Sequence, residues 1–143
     1  TDKELLKTID SVLLNDYPEE NKLLMVVADG VITGSGATAS TPEILGQILG
    51  FEFDCMDEAY EYKSLGKNTR NYISVYAGVY EKEIGNGTRR LKYMVLVKQG
   101  SMAERGSGRA GNRGKRDSQL AIAGMLNRLH YNREPGELDN VVK

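Results

Sequence analysis

A long β-hairpin is the feature of this sequence that most constrains the fold. Residues 71–84 and 88–99 both show the alternating pattern of strands, and Asn86-Gly87 between them is typical of a type I′ turn. This turn sets a register that pairs Tyr80 with Tyr93, Glu81 with Lys92 and Glu83 with Arg90. Each of these pairs is favourable between antiparallel strands. The chain is therefore expected to fold around an antiparallel pair.

One face of this hairpin carries tyrosines, and two interpretations of that face stay open. On an open sheet, Tyr76, Tyr80 and Tyr93 could stack on unpaired nucleic-acid bases, which contributes roughly 1–3 kcal/mol per base. Tyrosine is also a common strand residue with an apolar ring and a polar tip, so a face covered by a helix would show the same pattern. The second interpretation is the more ordinary one.

The first half of the chain predicts two helices and a second hairpin. Apolar residues recur at helical spacing over 2–15, where Asp2 can act as the N-cap, and again over 43–49 after Thr41 and Pro42. Between these helices, Lys22–Thr33 predicts a hairpin that turns at Asp29-Gly30. Its first strand is apolar on both faces, which is typical of a central strand.

The segment after the second helix is harder to assign. Residues 51–55 alternate like a short strand, and 56–62 show the spacing of a helix. The segment is rich in carboxylates, which are oxygen ligands of the kind that Mg²⁺ and Ca²⁺ prefer. The spacing of an EF-hand loop is absent, so we interpret these carboxylates as a solvated face and predict no metal site. They are Glu52, Asp54, Asp57, Glu58 and Glu61.

A final helix is predicted over Gln119–Tyr131, capped by Asp117 or Ser118, before Pro135-Gly136 ends regular structure. The elements together predict an α+β fold in α-ββ-α-ββ-α order, with an antiparallel sheet of four to five strands and helices mainly on one face. We expect a single domain over 1–143, with a glycine- and arginine-rich loop at 100–118 and a C-terminal tail at 135–143.

The loop at 100–118 has a composition that folding alone does not explain. It is rich in glycine, and no large apolar residue lies between Met102 and Leu120, so we expect it to be solvated. Spaced cations on an open backbone suit a phosphate-bearing partner. The predicted phosphate-binding residues are Arg105, Arg109, Arg113, Lys115 and Arg116. An alternative is that Gly100-Ser101-Met102 marks a junction between two joined polypeptides.

Sequence motifs give little support for an enzyme. His130 and Cys55 are the only histidine and cysteine of the sequence. This count excludes a zinc site made of soft ligands alone, and we predict neither a catalytic residue nor a cofactor. Residues 106–111 fit the G-x-G-x-x-G pattern, but no βαβ unit surrounds them. Gly114-Lys115 lacks the remainder of a P-loop. A hydrolase that uses carboxylates stays open.

Charge and hydropathy complete the functional expectations. The first 68 residues carry 13 acidic and 5 basic side chains, whereas residues 69–143 carry 14 basic and 7 acidic ones. This division favours a polyanionic partner for the basic half, or an attraction between the halves within one fold. No apolar run reaches the roughly 20 residues of a membrane helix. With one cysteine and no signal peptide, we expect a cytoplasmic protein without a membrane partner.

Three functional hypotheses follow. The leading one is a small non-enzymatic protein that binds nucleic acid through the phosphate contacts of the loop. The second is a homo-oligomer that binds a small phosphorylated ligand, a nucleotide or cyclic nucleotide, in a nucleotide-binding pocket closed by the loop. The third is a structural or assembly protein whose basic loop docks on an acidic face of another protomer.

Overall fold

The computed structural model describes residues 2–67, 69–131 and 136–142. Four helices and four strands form an α+β fold, which confirms the predicted fold class. The helices are α1 (Asp2–Leu13), α2 (Thr41–Leu49), α3 (Lys115–His130) and α4 (Glu137–Val142). The strands are β1 (Leu23–Ala28), β2 (Tyr60–Lys63), β3 (Arg70–Ile84) and β4 (Gly87–Lys98), and a 3₁₀ turn covers Glu19–Asn21.

The sheet is mixed, and its strand order is β1-β4-β3-β2. The β3–β4 hairpin forms as an antiparallel pair, but β1 pairs with β4 in parallel, with Leu23 opposite Lys92 and Ala28 opposite Val97. The predicted antiparallel sheet and strand order are therefore wrong. Local turn signals indicated a hairpin at Asp29-Gly30, whereas the partner of β1 lies far along the chain.

The chain turns at Gly30 but does not fold back along β1. The φ of Gly30, +99°, lets the chain leave the strand, and a Cβ atom there would lie 2.9 Å from the carbonyl oxygen of Ala110. Val31 then donates a backbone hydrogen bond to Ala110 at 3.0 Å instead of pairing with Ala28. The glycine- and arginine-rich loop thus pairs with Val31 where β1 was predicted to do so.

The register of the β3–β4 hairpin differs from the prediction by two residues. The turn lies at Gly85-Asn86, so Tyr80 pairs with Leu91 and Glu81 with Arg90. Gly85 takes the positive φ, +60°, that such a turn requires. Because side chains alternate with period two, a two-residue shift leaves each side chain on its predicted face.

Helices cover both faces of the sheet, not mainly one. On the first face, Ile9 of α1 and Leu45 and Leu49 of α2 pack with Tyr93 and Val95 of β4. On the second face, Leu138 of α4 packs with Ile73 and Leu96, and Ile122 of α3 adjoins this cluster. The sheet therefore separates two apolar clusters.

Three segments differ locally from the predictions. Residues 60–63 form strand β2 instead of helix, and 51–54 have no regular structure. Helix α3 begins at Lys115, four residues before the predicted start, with Gly114 as its N-cap. The predicted C-terminal tail contains α4, in which Leu138 and Asp139 are buried, while Pro135 lies outside the described residues.

Candidate functional site

Charged side chains gather where the parallel strands β1 and β4 end. Asp29 directly follows β1, and Lys98 is the last residue of β4. Because parallel neighbours share the direction of the chain, their carboxyl ends lie at the same edge of the sheet. In open α/β sheets this edge is where ligands bind.

Lys98 is fully buried, with no exposed side-chain surface. Its Nζ donates hydrogen bonds to Asp29 Oδ1 at 2.9 Å and to the backbone oxygen of Gly114 at 3.3 Å, and it forms an ion pair with Asp117 Oδ2 at 2.8 Å. Three donors thus meet three acceptors, which compensates the loss of hydration of a buried ammonium. Lys98 therefore joins the ends of β1, β4 and α3.

Asp117 lies in the first turn of α3 and is buried. Besides the ion pair with Lys98, it accepts hydrogen bonds from the Tyr62 hydroxyl at 2.5 Å and from the Leu65 backbone N–H at 2.8 Å. Burial alone would raise the pKa of Asp117, but these three partners outweigh it and hold the pKa below its usual value. Asp117 is thus a buried carboxylate and not the helix N-cap that the sequence predicted.

Tyr62 and Asn71 extend this cluster to the glycine- and arginine-rich loop. The pKa of Tyr62 is raised, first by burial and then by its hydrogen bond to Asp117. Asn71 donates through Nδ2 to the Tyr62 hydroxyl and to the backbone oxygen of Gly111, both at 2.9 Å, and its Oδ1 accepts from Gly100 N at 3.0 Å. One buried side chain, Asn71, therefore holds the loop at Gly100 and at Gly111.

Gly111 shows how closely the loop approaches β4. It adopts a φ of +76°, and a Cβ atom there would overlap the backbone carbonyl of Lys98. Ala110 and Gly111 are buried, so the prediction of a solvated loop is wrong for this part. Only a residue without a side chain allows the loop to pack at this distance.

Two of the five predicted phosphate-binding residues contact the protein itself. Arg113 pairs with Glu104 through two hydrogen bonds, at 2.6 and 3.1 Å, and this contact lowers the pKa of Glu104. Arg105 donates to the backbone oxygens of Cys55 and Asp57, both at 3.3 Å. Arg109, Lys115 and Arg116 are exposed. Phosphate binding by this set stays a prediction.

The predicted base-stacking tyrosines lie under the helices of the first face. Tyr93 is buried, and Tyr76 stacks on Phe51 with ring centroids 4.6 Å apart. The hydroxyls of Tyr76 and Tyr80 donate to Asp57 and Asp10, at 2.5 and 3.1 Å. The geometry favours the interpretation of a covered face, in which these rings contribute to the core.

A groove of about 470 Å³ lies between the segment after β1, the start of α2 and the glycine- and arginine-rich loop. Hydroxyl groups, carboxylates and one aromatic ring surround it, a combination that suits a polar organic ligand. Its lining residues are Val31, Thr33, Ser40, Glu43, Phe53, Asp54, Cys55, Gly106, Ser107 and Gly108. Ser40 donates to Glu43 from both its backbone N–H and its hydroxyl, at 2.6 Å each, and fixes the start of α2.

The described residues offer little further chemistry. Among residues 2–67, 69–131 and 136–142, no group of three or more histidine, cysteine or carboxylate side chains is arranged to hold a metal ion. No helix in the same ranges is long and apolar enough to cross a membrane. The ring of His130 packs edge-on against Tyr131, 4.7 Å between centroids, at the end of α3.

Sequence reasoning missed Lys98, Asn71 and Tyr62 and gave Asp29 and Asp117 other roles. A lysine at the end of a strand is ordinary on its own. One signal was available in the sequence, namely that Asp29 directly follows an apolar strand. When such a strand is parallel to its neighbour, its carboxyl end lies at the edge of the sheet where ligands bind. Because Lys22–Thr33 was predicted to form an antiparallel hairpin, Asp29 was assigned to a turn instead.

The fold and the site define an α+β protein whose polar groups gather at the carboxyl ends of two parallel strands, as in enzymes with open sheets. Comparison with known proteins identifies the family. A family model described as chitin synthase matches residues 1–142, and this chain belongs to the chitin synthase family.

Relatives among fungal proteins agree with this assignment. The chain is 42% identical over 132 residues to "Chitin synthase 6" of Mycosarcoma maydis, with 91% of this chain and 11% of the relative covered. It is 41% identical over 129 residues to "Chitin synthase 5" of Pyricularia oryzae, with 89% and 7% covered. The chain thus spans about a tenth or less of these relatives. No solved structure matches it significantly.

The family assignment corrects the functional predictions. The predicted non-enzymatic nucleic-acid-binding protein is wrong, as are the nucleotide-binding alternative and the phosphorylated ligand, because the chain belongs to the chitin synthase family. The predicted absence of a membrane partner also conflicts with the family match. Homo-oligomerisation and a cytoplasmic location stay predictions.

Proposed function

We propose that this chain is a segment of a chitin synthase and that the groove at the carboxyl ends of β1 and β4 forms part of the site where that enzyme binds sugar. The observation that carries the proposal is the family match over residues 1–142. The geometry supports this groove in particular because segments that follow β1 and β4 line it, with Val31 and Thr33 after β1 and Gly106, Ser107 and Gly108 after β4.

The lining of the groove suits a sugar. A sugar offers many hydroxyl groups. A carboxylate accepts hydrogen bonds from them, and a protein hydroxyl either accepts hydrogen bonds from them or donates to them. Asp54 and Thr33 are exposed in the groove, and the Phe53 ring provides an apolar wall beside them. Asp54 is held in place because its Oδ1 accepts from Met56 N at 2.8 Å and its own N–H donates to Asp57 Oδ2 at 3.1 Å.

The buried cluster has a separate part in this proposal, which is to position the walls of the groove. Asp29 Oδ1 also accepts from the backbone N–H of Arg113 at 3.1 Å, so the loop and the end of β1 share one carboxylate. The Glu104–Arg113 pair closes the loop on itself, and Glu104 accepts from Gly111 N at 3.2 Å. These bonds hold the loop that carries Gly106, Ser107 and Gly108 before any ligand binds.

The test compares two neighbouring carboxylates in the full-length chitin synthase that carries this segment. Asp54→Asn keeps the shape of the side chain but removes the charge from the groove, whereas Glu52→Gln does the same at an exposed position that does not line it. We expect Asp54→Asn to lower the rate of chitin synthesis in membranes by roughly tenfold or more, since a hydrogen bond to a charged group contributes about 1.5–3 kcal/mol.

Glu52→Gln is the matched control and should stay close to the unmodified rate. Protein abundance measured in the same membranes separates a lost contact from a lost fold. If Asp54→Asn makes chitin as fast as Glu52→Gln at equal abundance, the groove is not a sugar site.

A further inference from the structure

The glycine- and arginine-rich loop closes on itself at a narrow neck. It begins at Gly100, soon after β4 ends, and returns to this point at Gly111. The two backbones lie so close there that a Cβ atom on Gly100 would be 2.7 Å from the nitrogen of Gly111. Between these two glycines lie Gly106, Ser107 and Gly108, which line the groove of the proposed sugar site. The neck therefore fixes where this wall of the groove starts and where it ends.

The side-chain amide of Asn71 joins the two sides of the neck. Asn71 lies on β3 and has no exposed surface. Its Oδ1 accepts from Gly100 N at 3.0 Å and from Tyr72 N at 2.9 Å, while Nδ2 donates to Gly111 O and to the Tyr62 hydroxyl, both at 2.9 Å. An amide has two donor hydrogens and two acceptor positions, and all of them are used here. A carboxylate or an apolar side chain of similar size would lose part of this set.

The neck also reaches the wall of the groove that follows β1. Ala110 lies next to Gly111, and its backbone oxygen accepts from Val31 N at 3.0 Å. Val31 lines the groove. At the tip of the loop, in contrast, a Cβ atom on Gly106 or Gly108 would meet no atom within 4 Å in the part of the chain that the structure describes. The position of the tip therefore depends on contacts nearer the neck.

We propose that Asn71 is a positioning residue for chitin synthesis, because by joining Gly100 to Gly111 it keeps the groove in the shape that binds the sugar substrate. The inference rests on the proposed function, since it takes the groove as the sugar site. When a wall is in place for only part of the time, apparent affinity falls in proportion to the fraction of molecules with a formed groove. Loss of the Asn71 contacts therefore raises KM and leaves the rate at saturating substrate nearly unchanged.

Asn71→Asp tests the proposal because its effect depends on pH. The introduced carboxyl keeps an acceptor for Gly100 N. When ionised it has no hydrogen to donate to Gly111 O, and when protonated it has one. Burial raises the pKa of such a carboxyl, so the loop is expected to come loose as the pH rises. The ionisable groups around this position are Tyr62 on β2, Lys98 on β4, Glu104 and Arg113 in the loop, and Asp117 on α3.

The measurement is chitin synthesis by the full-length enzyme in membranes, at increasing concentrations of activated N-acetylglucosamine, the sugar unit of chitin. Asn86→Asp is the matched control, because it introduces the same charge in the exposed turn at the other end of the hairpin. At about pH 8 we expect KM for Asn71→Asp to exceed that of the control by roughly fivefold or more, and at about pH 5.5 to lie within about twofold of it. The kcat per enzyme molecule should be similar in both variants.

A merely structural role for Asn71 would give a different result. It would reduce the amount of folded enzyme, and so the maximal rate, without changing KM. Equal KM values in Asn71→Asp and the control at both pH values, or a lower kcat with unchanged KM, would overturn the proposal. Asn71→Ser is a second variant, which is too short to reach both glycines and adds no charge. Its KM should be raised at both pH values, and an unchanged KM would also overturn the proposal.

Hydrogen exchange distinguishes failure of this inference from failure of the proposed function. At about pH 8 the amides at 100–111 should exchange roughly tenfold faster in Asn71→Asp than in Asn86→Asp, whether or not sugar binds in the groove. A loosened loop with unchanged KM would reject the role of Asn71 alone if Asp54→Asn still lowers the rate of synthesis. If synthesis is unchanged in Asp54→Asn as well, the sugar site itself is rejected.

Discussion

The two ends of the β3–β4 hairpin both carry ion pairs, and they differ in burial. Near the turn, Arg90 and Glu81 pair at 2.9 Å with side chains that are 65% and 51% exposed. At the other end, Lys98 lies between Asp29 and Asp117 with no exposed surface. Water competes for the contact between Arg90 and Glu81, whereas it is excluded from most of the contacts of Lys98. The same kind of contact is therefore replaceable at one end and essential at the other.

The comparison also separates two roles along the hairpin. The pairs of the turn end, including Lys82 with Asp10 and Arg89 with Glu19, connect the hairpin to the N-terminal segment. The buried cluster connects four separate parts of the chain, because Tyr62 and Leu65 also donate to Asp117. We infer that the turn end adjusts stability, whereas the carboxyl end positions the proposed site.

The largest effect is expected from Lys98→Met. The substitution removes the cation that pairs with both Asp29 and Asp117 and leaves the buried Asp117 without its ion pair. We expect a loss of roughly 3–5 kcal/mol in the free energy of unfolding, measured by pulse proteolysis in urea. Adding Asp29→Asn and Asp117→Asn to Lys98→Met should recover part of this loss. A loss below about 1 kcal/mol for Lys98→Met alone would contradict the buried cluster.

A smaller effect is expected from Arg113→Gln, which breaks the two-bond contact with Glu104. The pair is only partly exposed, at 11% and 22%, so we expect a loss of about 1–3 kcal/mol and faster hydrogen exchange over residues 100–114. Arg109→Gln is the control, because Arg109 is an exposed cation of the same loop. Equal exchange in both variants would show that the Glu104 contact does not hold the loop.

Acidification should distinguish the two ends of the hairpin, because it protonates Asp117 at the carboxyl end. Its pKa in the folded protein lies below the usual 3.8, so the unfolded chain takes up a proton first as the pH falls. The stability that this carboxylate contributes is therefore complete above 3.8 and is lost as the pH falls through the folded pKa. Between about pH 6 and about pH 3, Asp117→Asn should lose less stability than the unmodified protein does. An identical loss in both would contradict the lowered pKa.

The smallest effect is expected from Arg90→Gln at the turn end. Exposed pairs contribute about 0–1 kcal/mol, and salt screens them further. Unfolding measured in low and high salt should differ from that of the unmodified protein by no more than this amount. A loss as large as that of Lys98→Met would remove the distinction between the two ends.

Much of the fold could be predicted where the signal is local. The apolar spacing of α1 and α2 and the pairing of β3 with β4 depend on residues close in sequence, and these elements form, although the hairpin turn lies one residue earlier than predicted. The parallel pairing of β1 could not be predicted because its partner, β4, lies beyond α2, β2 and β3. Strand β2 was missed because its four residues, Tyr60–Lys63, adjoin a stretch with helical spacing.

The candidate site was predicted less well, for a physical reason. The composition of the glycine- and arginine-rich loop predicted a site there. Its residues Arg105 and Arg113 instead contact carbonyl oxygens and a carboxylate of the protein itself. The buried cluster depends on contacts between Lys98, Asp29 and Asp117, which lie on different elements. No spacing within one element indicates that three charges will meet in the core.

The central claim is that sugar binds at the carboxyl end of the sheet. Hydrogen exchange of the full-length enzyme, compared between the resting state and active chitin synthesis, tests it most directly. We predict slower exchange during synthesis in the groove segments 31–43, 53–55 and 106–108, and no change at 81–90 near the hairpin turn. Unchanged exchange in all three groove segments during synthesis would contradict the claim.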